Sequence, residues 1–539
     1  MNGDSSGRAG AWITALAGGL LLGLAFPSVG VAPLAWVGLV PGGLWLAGRT
    51  DGSARSTGEG FRFGYATGFV FYLAGLHWIA FLSKVAVTVS WIMYPSWIVA
   101  AAYLALYPAL AGLATAFARR RLGLSPALGW PLFWLAGEWL RGQGELGFPW
   151  LALGYSQASI LPVLQLAALG GASAVGAWVG AVNALVLTTI LAFRRGRRAA
   201  FAPAVALAAV LAAPFALLGP WIPPLERSGP PVALVQGNVP GAVKWSRKSE
   251  EAVLGKFLLL SRVAVERGAR FVLWPETSTG SYLRQNVVPR VRLQQWVDST
   301  GVAVLAGYPD YQFYDATHYR SWNAAGVFWP GTGLGPQYAK IHLVPFGERM
   351  PFQSIFPVLG SFDMGQAEWT PGTDPSPLPT PLGPAGVLVC FESIFTDPAR
   401  QQVLRGATWL VNITNDEWFG RSAALYQHAA MAVFRAVENG VPVARVANTG
   451  LSFFIDPYGR IVDQGPVFAD HVAVGALPGV ARPRTLFTRT GDLVGPLLAL
   501  FAALVVVAAA FSRAPLTGSG PADTLGTSPA RTPFRRRPR

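Results

Sequence analysis

Eight long apolar runs constrain this chain more than any other feature of its sequence. They fall at residues 11–27, 31–47, 63–82, 91–117, 125–140, 169–193, 199–222 and 492–512. A bilayer core about 30 Å thick takes about 20 helical residues to cross, so each run is near the length of a membrane span. We therefore expect a membrane domain of about seven transmembrane helices at 1–222 and a further transmembrane helix at 489–512. The first run could instead be a signal peptide, but more spans follow at once and no cleavage site is visible.

Basic residues are distributed unevenly between the loops that join these runs. Among the first seven runs, the poorer loops hold only Lys84 and Arg141. The richer, alternate loops hold Arg49, Arg55 and Arg62; Arg119, Arg120 and Arg121; and Arg194, Arg195, Arg197 and Arg198. Cytoplasmic loops are the basic ones, so we expect both termini in the cytoplasm and segment 223–488 on the outer face. That outer segment is nearly neutral, so the net charge of +15 is a topology signal and no nucleic-acid partner is expected.

Segment 223–488 has a different pattern, in which short β-rich strings alternate with helical stretches. The strings lie at 232–235, 271–274, 302–306, 324–328, 386–389, 409–413, 442–447 and 451–455, and a turn follows at 456–459. The clearest helices are predicted at 248–268 and 422–439. Alternating strands and helices favour an α/β layered domain.

The tail at 513–539 is rich in Pro, Ser, Thr and Arg and is expected to be a disordered, basic cytoplasmic extension.

Three short strings in the outer segment carry groups suited to nucleophilic catalysis. Glu276 and Cys390 each lie at the end of a predicted strand, and Lys340 begins a string of mixed polar and apolar residues. A free thiol is a weak nucleophile at neutral pH unless a nearby base takes its proton. An ammonium group stabilises the oxyanion that forms on attack at an ester or amide. Glu276, Lys340 and Cys390 would supply base, cation and nucleophile. A second carboxylate, Glu348 or Glu392, could orient the lysine.

Residue usage bears on this interpretation. Only five of the 42 basic residues are lysines, so a lysine inside a motif indicates a compact cation that arginine cannot replace. Against this, a lone cysteine is most often a small buried hydrophobe, and Glu276 could be a solvated strand end. The single cysteine excludes an intrachain disulfide, and the five histidines are scattered. We therefore expect neither a metal centre nor a cofactor.

Together, these strings resemble the nitrilase superfamily, whose Glu-Lys-Cys triad lies in an αββα sandwich. The chain is similar in particular to the bacterial apolipoprotein N-acyltransferases, a family of integral membrane enzymes. The likeness covers nearly the whole chain. It rests on strings at 236–240, 274–277, 340–348, 415–420 and 427–438 in the outer segment, and at 137–141, 147–150 and 153–157 in the membrane domain. The triad alone would indicate only the superfamily, and the membrane strings make the likeness specific.

The resemblance implies a multi-pass α-helical membrane domain joined to an α/β nitrilase-like domain at 223–488. Cys390 would take an acyl chain from a phospholipid as a thioester, with Glu276 as general base and Lys340 as the oxyanion-stabilising cation. The α-amino group of the N-terminal diacylglyceryl-cysteine of an apolipoprotein would then attack the thioester, in a ping-pong scheme that ends lipoprotein maturation. The supporting or substrate-binding residues would be Glu348, Glu392, Asn323, Trp245 and Trp418.

The same likeness implies a phospholipid donor and a diacylglyceryl-apolipoprotein acceptor as partners, no cofactor, a monomer, and placement in the bacterial inner membrane. Two positions depart from the family pattern: Glu417, where a small residue is usual, and Phe391, where tyrosine is frequent.

Two other functions remain open from the sequence. A membrane-tethered amidase for a water-soluble amide would need one anchor rather than seven preceding spans. A transporter or lipid-binding scaffold would have an inert outer domain, and the intact set of Glu276, Lys340 and Cys390 argues against it.

Overall fold

The amino-terminal part of the chain is a bundle of apolar helices. The computed structural model describes residues 3–48, 53–82, 90–361, 368–479 and 482–512, so Arg49, Lys84 and the predicted tail at 513–539 lie outside the described residues. The helices are α1 (Gly3–Leu24), α2 (Val40–Ala47), α3 (Thr57–Gly75), α4 (Met93–Leu104), α5 (Leu106–Leu122), α6 (Pro126–Arg141), α7 (Leu161–Leu164), α8 (Ala167–Phe193) and α9 (Arg197–Ala213). Each of the seven apolar runs predicted in this part is helical over most of its length.

Four helical segments of the described chain are long and apolar enough to cross a membrane. They are Met93–Leu122, Ala167–Phe193, Arg197–Trp221 and Val494–Phe511. The apolar segments Gly10–Leu24 and Ala32–Ala47 are shorter. The second predicted run is divided, because a 3₁₀ turn at Ala32–Trp36 precedes the eight-residue helix α2. The number of seven spans before residue 222 therefore stays a prediction.

Glycines spaced four residues apart bring α3 and α5 into close contact. A Cβ atom at Gly64 would overlap the carbonyl oxygen of Pro108, and one at Gly60 would overlap that of Gly112. Small residues at this spacing let two helix backbones approach each other in a membrane, where packing holds helices together. This face of α3 therefore has no room for a larger side chain.

We expect Gly64→Leu to destabilise the packed helices by about 1–3 kcal/mol, because overpacking forces them apart. Thermal unfolding of the detergent-solubilised protein would show this as a lower Tm. Gly58→Leu on the same helix is the matched control, because a Cβ atom there meets no other group within 4 Å. Equal Tm values for the two variants would contradict the close approach of α3 and α5.

The carboxyl-terminal half contains two β-sheets with helices on their outer faces. The strands are β1 (Val232–Gln236), β2 (Phe271–Leu273), β3 (Ala303–Phe313), β4 (Tyr319–Trp329), β5 (Gly333–Ala339), β6 (Ala385–Val389), β7 (Trp409–Thr414), β8 (Val443–Ala447), β9 (Phe453–Ile455), β10 (Ile461–Val462) and β11 (His471–Gly475). The remaining helices are α10 (Gly241–Lys244), α11 (Glu250–Glu266), α12 (Val287–Thr300), α13 (Thr396–Leu404), α14 (Ala423–Asn439), α15 (Leu486–Thr490) and α16 (Val494–Phe511). One sheet has the strand order β11-β1-β2-β3-β4-β5, and the other β10-β9-β8-β7-β6.

The two sheets pack face to face. Leu273 and Leu305 of the first sheet share one buried apolar cluster with Val389 and Val411 of the second. Helices α11 and α12 cover the outer face of the first sheet, and α13 and α14 cover that of the second. The layers therefore run helix, sheet, sheet, helix, and the αββα sandwich predicted from the sequence is confirmed.

Helix α14 also joins the sandwich to the membrane helices. Its apolar residues belong to the same buried cluster as those of the helical bundle. Gln427 accepts hydrogen bonds at Oε1 from the indole nitrogens of Trp78 (3.1 Å) and Trp150 (2.7 Å). The Gln427 amide donates to the carbonyl oxygen of Pro27 at 2.8 Å. One side chain thus ties the sandwich to three segments of the membrane domain.

Candidate active site

Three positions that follow strands bring the predicted catalytic side chains together. Glu276 comes shortly after β2, Lys340 directly after β5, and Cys390 directly after β6. The first two strands belong to one sheet and the third to the other, so the site lies where the ends of the sheets meet. Glu276 is 6% exposed and Lys340 is 1% exposed. Neither is therefore a solvated surface group.

The carboxylate of Glu276 is held at both oxygens. The side-chain amide of Asn323, on β4, donates to Oε1 at 2.7 Å, and the backbone N–H of Asn415 donates to Oε2 at 2.8 Å. The Lys340 Nζ lies 3.7 Å from Oε1. These partners fix the orientation of the carboxylate inside the site, which a general base requires.

Lys340 is paired with a second carboxylate. Its Nζ donates to Glu348 Oε1 at 2.9 Å, and Glu348 Oε2 accepts the backbone N–H of Val344 at 2.8 Å. Burial disfavours the charged lysine, but the carboxylates of Glu348 and Glu276 outweigh it, so the pKa of Lys340 is raised above its ordinary value. Lys340 is thus a permanent cation beside the base.

Cys390 begins a 3₁₀ turn in an unusual backbone conformation. Its φ is +50°, in the left-handed region that residues with a side chain rarely adopt. Its carbonyl oxygen accepts a hydrogen bond from Ser393 Oγ at 3.0 Å and lies 3.1 Å from His428 Nε2. Burial raises the pKa of the Cys390 thiol, and the charge of Glu276 raises it further, although Lys340 opposes both. The resting thiol is therefore protonated and needs a base for attack.

Glu392 has a different place from that of Glu348. Its Oε1 accepts the hydroxyl of Tyr338 at 2.9 Å and the backbone N–H groups of Ile341 and His342, at 2.7 and 3.1 Å. Its Oε2 accepts the N–H of Val389 at 2.8 Å. Of the two candidates for orienting the lysine, Glu348 makes the direct contact. Glu392 instead fastens the loop after Lys340 to the turn that carries Cys390.

The two predicted tryptophans line the surface rather than the buried site. Trp245 is 49% exposed and Trp418 is 41% exposed.

The two departures from the family pattern both find partners in the structure. Glu417 Oε1 accepts the N–H of Gly241 at 2.9 Å, and Phe391 packs edge-on against Phe395.

A buried polar cluster that sequence analysis left without a role lies directly behind the nucleophile. Arg445 donates to Asp416 Oδ2 at 2.8 Å, and His428 Nδ1 lies 3.2 Å from Asp416 Oδ1. Burial, and then the charge of Arg445, lower the pKa of His428, so a neutral imidazole faces the Cys390 carbonyl. Asp416 lies in a 3₁₀ turn, His428 on α14 and Arg445 on β8. Their contact therefore could not be predicted from any single stretch of the sequence.

A second buried lysine, Lys244, was also missed. It is 2% exposed, and its Nζ donates to Thr277 Oγ1 at 3.1 Å, next to Glu276. The scarcity of lysine in the chain is a sequence signal that applies to Lys244 as well as to Lys340. Among the described residues, no group of three or more His, Cys, Asp or Glu side chains is arranged to hold a metal ion.

Comparisons with known proteins agree with this architecture. The profile of the carbon-nitrogen hydrolase family matches residues 231–483, and that of the apolipoprotein N-acyltransferase N-terminal domain matches residues 18–185.

Curated relatives cover both parts at once. The apolipoprotein N-acyltransferase of Geobacter metallireducens is 34% identical over 508 residues, which is 93% of this chain and 95% of that protein. Those of Methylococcus capsulatus and Gloeobacter violaceus are each 34% identical as well, over 93% and 92% of this chain and 96% and 93% of their own. The identity extends through the membrane helices and the sandwich alike, and the chain therefore belongs to the apolipoprotein N-acyltransferase family.

Proposed function

We propose that this membrane protein transfers an acyl chain from a phospholipid to the α-amino group of the N-terminal diacylglyceryl-cysteine of apolipoproteins. The observation that carries the proposal is the set of Glu276, Lys340 and Cys390, with the base and the cation buried, in a chain of this family. A base held at both oxygens, a permanent cation and a thiol with its proton still bound are the three groups that acyl transfer through a thioester requires.

In the first half-reaction, the Cys390 thiol gives its proton to Glu276 while Sγ attacks the ester carbonyl carbon. Lys340 stabilises the negative charge that develops on the carbonyl oxygen. The ester C–O bond then breaks, the glycerol oxygen takes the proton from Glu276, and the lysophospholipid leaves. The product is an acyl thioester on Cys390.

In the second half-reaction, the acceptor amine attacks the thioester carbon. Glu276 takes a proton from the attacking nitrogen and passes it to the sulfur as the C–S bond breaks, and the N-acylated lipoprotein leaves. We assign Asn323, Glu348 and Glu392 to the support of the triad. The exposed Trp245 and Trp418 would contact the lipid chains of the substrates.

Both substrates are lipids, which favours a site at the membrane surface. In the segment that follows Glu348, Phe352, Ile355 and Phe356 are 37%, 64% and 58% exposed, and such side chains insert readily into the interfacial region of a bilayer. With the basic loops as guide, we place the sandwich on the outer face of the bacterial inner membrane, with both termini cytoplasmic. The proposed domains are 1–222, 223–488 and 489–512, in a protein that acts as a monomer.

Trapping the acyl-enzyme tests this function. Wild-type protein in vesicles of phosphatidylethanolamine and phosphatidylglycerol, without acceptor, should gain the mass of one acyl chain on the peptide that contains Cys390. The adduct should disappear when a diacylglyceryl-cysteinyl peptide is added. Cys390→Ala is the control and should show no adduct. An unmodified wild-type protein, or an adduct that persists in the control, would falsify the proposal and leave the soluble-amide and scaffold interpretations.

A further inference from the structure

Lys244 is a buried amine that the scheme above does not use. It ends α10, immediately before the exposed Trp245, and only 2% of it is exposed. Within the described part of the chain, Thr277 Oγ1 is the one hydrogen-bond partner of its Nζ. Because an ammonium group has three donors, two of them are without a protein partner there. Such a group is costly to bury and calls for a reason.

The titratable groups around Lys244 come from three elements of the active site. Glu276 follows β2, Glu417 lies in the 3₁₀ turn Asp416–Phe419, and Cys390 follows β6; each of them acts electrostatically on the Lys244 amine. The carboxylate of Glu417 is only half satisfied, since Oε1 accepts the N–H of Gly241 whereas Oε2 is buried with no hydrogen-bond partner. The Lys244 amine, which lacks hydrogen-bond acceptors, therefore lies near the Glu417 carboxylate, which lacks a hydrogen-bond donor at Oε2.

The two half-reactions differ in their proton balance. Transfer from an ester to a thiol is balanced, because the thiol proton ends on the glycerol oxygen. Transfer from a thioester to an amine is not, because an α-amino group with a pKa near 8 arrives largely as an ammonium ion at neutral pH. Its nitrogen loses two protons on becoming an amide. Glu276 can carry one of them to the sulfur, and the other needs a second acceptor.

Resting on the function proposed above, we propose that Lys244, with Glu417 beside it, accepts the proton that the acceptor's α-ammonium group must lose before it attacks the Cys390 thioester. In its neutral form, the Lys244 amine takes this proton, the freed α-amine attacks, and Lys244 then releases the proton to water as the product leaves.

The ionisation of Lys244 suits this task. Burial lowers the pKa of Lys244 to about 8, and the charges of Glu276 and Glu417 oppose this shift. A base whose pKa matches that of the acceptor amine exchanges a proton with it without a large energetic penalty. Lys340 is unsuited to the role, because its pKa is raised and it keeps its proton.

The test compares two nucleophiles on preformed acyl-enzyme. The first is a diacylglyceryl-cysteinyl peptide, which is charged at pH 7. The second is hydroxylamine, which is neutral at that pH and loses only one proton on acylation. We expect Lys244→Met to slow transfer to the peptide about 100-fold at pH 7, and to slow transfer to hydroxylamine far less. The defect should shrink as the pH rises to 9, because the peptide amine then loses its proton unaided.

Lys256→Met is the matched control, since Lys256 lies on the surface in an ion pair with Asp470, and its rates should equal those of the wild type. Glu417→Gln offers a second measurement: it removes a charge that favours protonated Lys244, so the rate of peptide transfer should rise at a lower pH than in the wild type. Equal losses with both nucleophiles, or an unchanged profile in Glu417→Gln, would overturn the proposal. A wild-type protein that forms no thioester would refute the proposed function instead.

Discussion

Replacing Glu276 by glutamine should slow formation of the Cys390 thioester about 1,000-fold or more, a loss within the range expected for a missing general base. The pKa of the Cys390 thiol is raised by burial and by the charge of Glu276, so the thiol does not ionise on its own near neutral pH. A neutral amide at position 276 can take no proton from it. The first half-reaction would then lack its first proton transfer.

The surroundings of Glu276 sharpen this expectation. Both carboxylate oxygens accept a hydrogen bond, one from the Asn323 amide and one from the Asn415 backbone. A glutamine presents one oxygen and one NH₂ group. Its NH₂ group would therefore face either the Asn323 amide or the Asn415 N–H, and both of these are donors. Glu276→Asp should retain more activity than Glu276→Gln, because it keeps the basic group although it shortens the reach.

Mass spectrometry of the acyl-enzyme at timed intervals measures this effect. Glu266→Gln is the matched control, since Glu266 is exposed at the end of α11, and it should form thioester at the wild-type rate. Thermal unfolding should show that Glu276→Gln remains folded. Thioester formation within tenfold of wild type in a folded Glu276→Gln protein would assign the base to another residue.

Much of the fold was predictable because its strands are short apolar strings bounded by turns. Those centred on 273 and 411 lie on interior strands, and the one centred on 388 is the edge strand β6, which is also buried along its whole length. Burial on both faces demands such apolar strings. β5 escaped prediction because Gly333–Ala339 contains Gly, Pro and Gln and is an edge strand, held by pairing with β4. The division of the second apolar run likewise depends on packing that single-sequence hydropathy does not reveal.

The candidate site was predictable to the extent that its residues belong to local strings. The ends of β2 and β6 indicated Glu276 and Cys390, and the proximity of Lys340 followed from the resemblance. The choice between Glu348 and Glu392 was open, because it depends on how the loop after Lys340 folds back. That conformation is fixed by four hydrogen bonds to Glu392, made by groups 3 to 54 residues away along the chain.

Replacing Lys340 by arginine should also leave a nearly inactive protein, with acyl transfer slowed about 1,000-fold, although the positive charge is kept. Lys340 is 1% exposed, and its Nζ is confined between Glu348 at 2.9 Å and Glu276 at 3.7 Å. A guanidinium group is larger and planar, and its donors point in fixed directions. It would either displace the base or miss the oxygen on which charge develops.

Comparing Lys340→Arg with Lys340→Met separates charge from geometry. If position decides, as we expect, the two variants lose acyl transfer to a similar degree, whereas a role of charge alone predicts that arginine restores most of it. Lys256→Arg, on the surface beside Asp470, should be indistinguishable from wild type.

Because the pKa of Lys340 is raised by its two carboxylates, Lys340 keeps its proton well beyond pH 10. Any decline of wild-type acyl transfer between pH 8 and 10 must then come from another group, and a decline abolished specifically in Lys340→Arg would contradict this assignment.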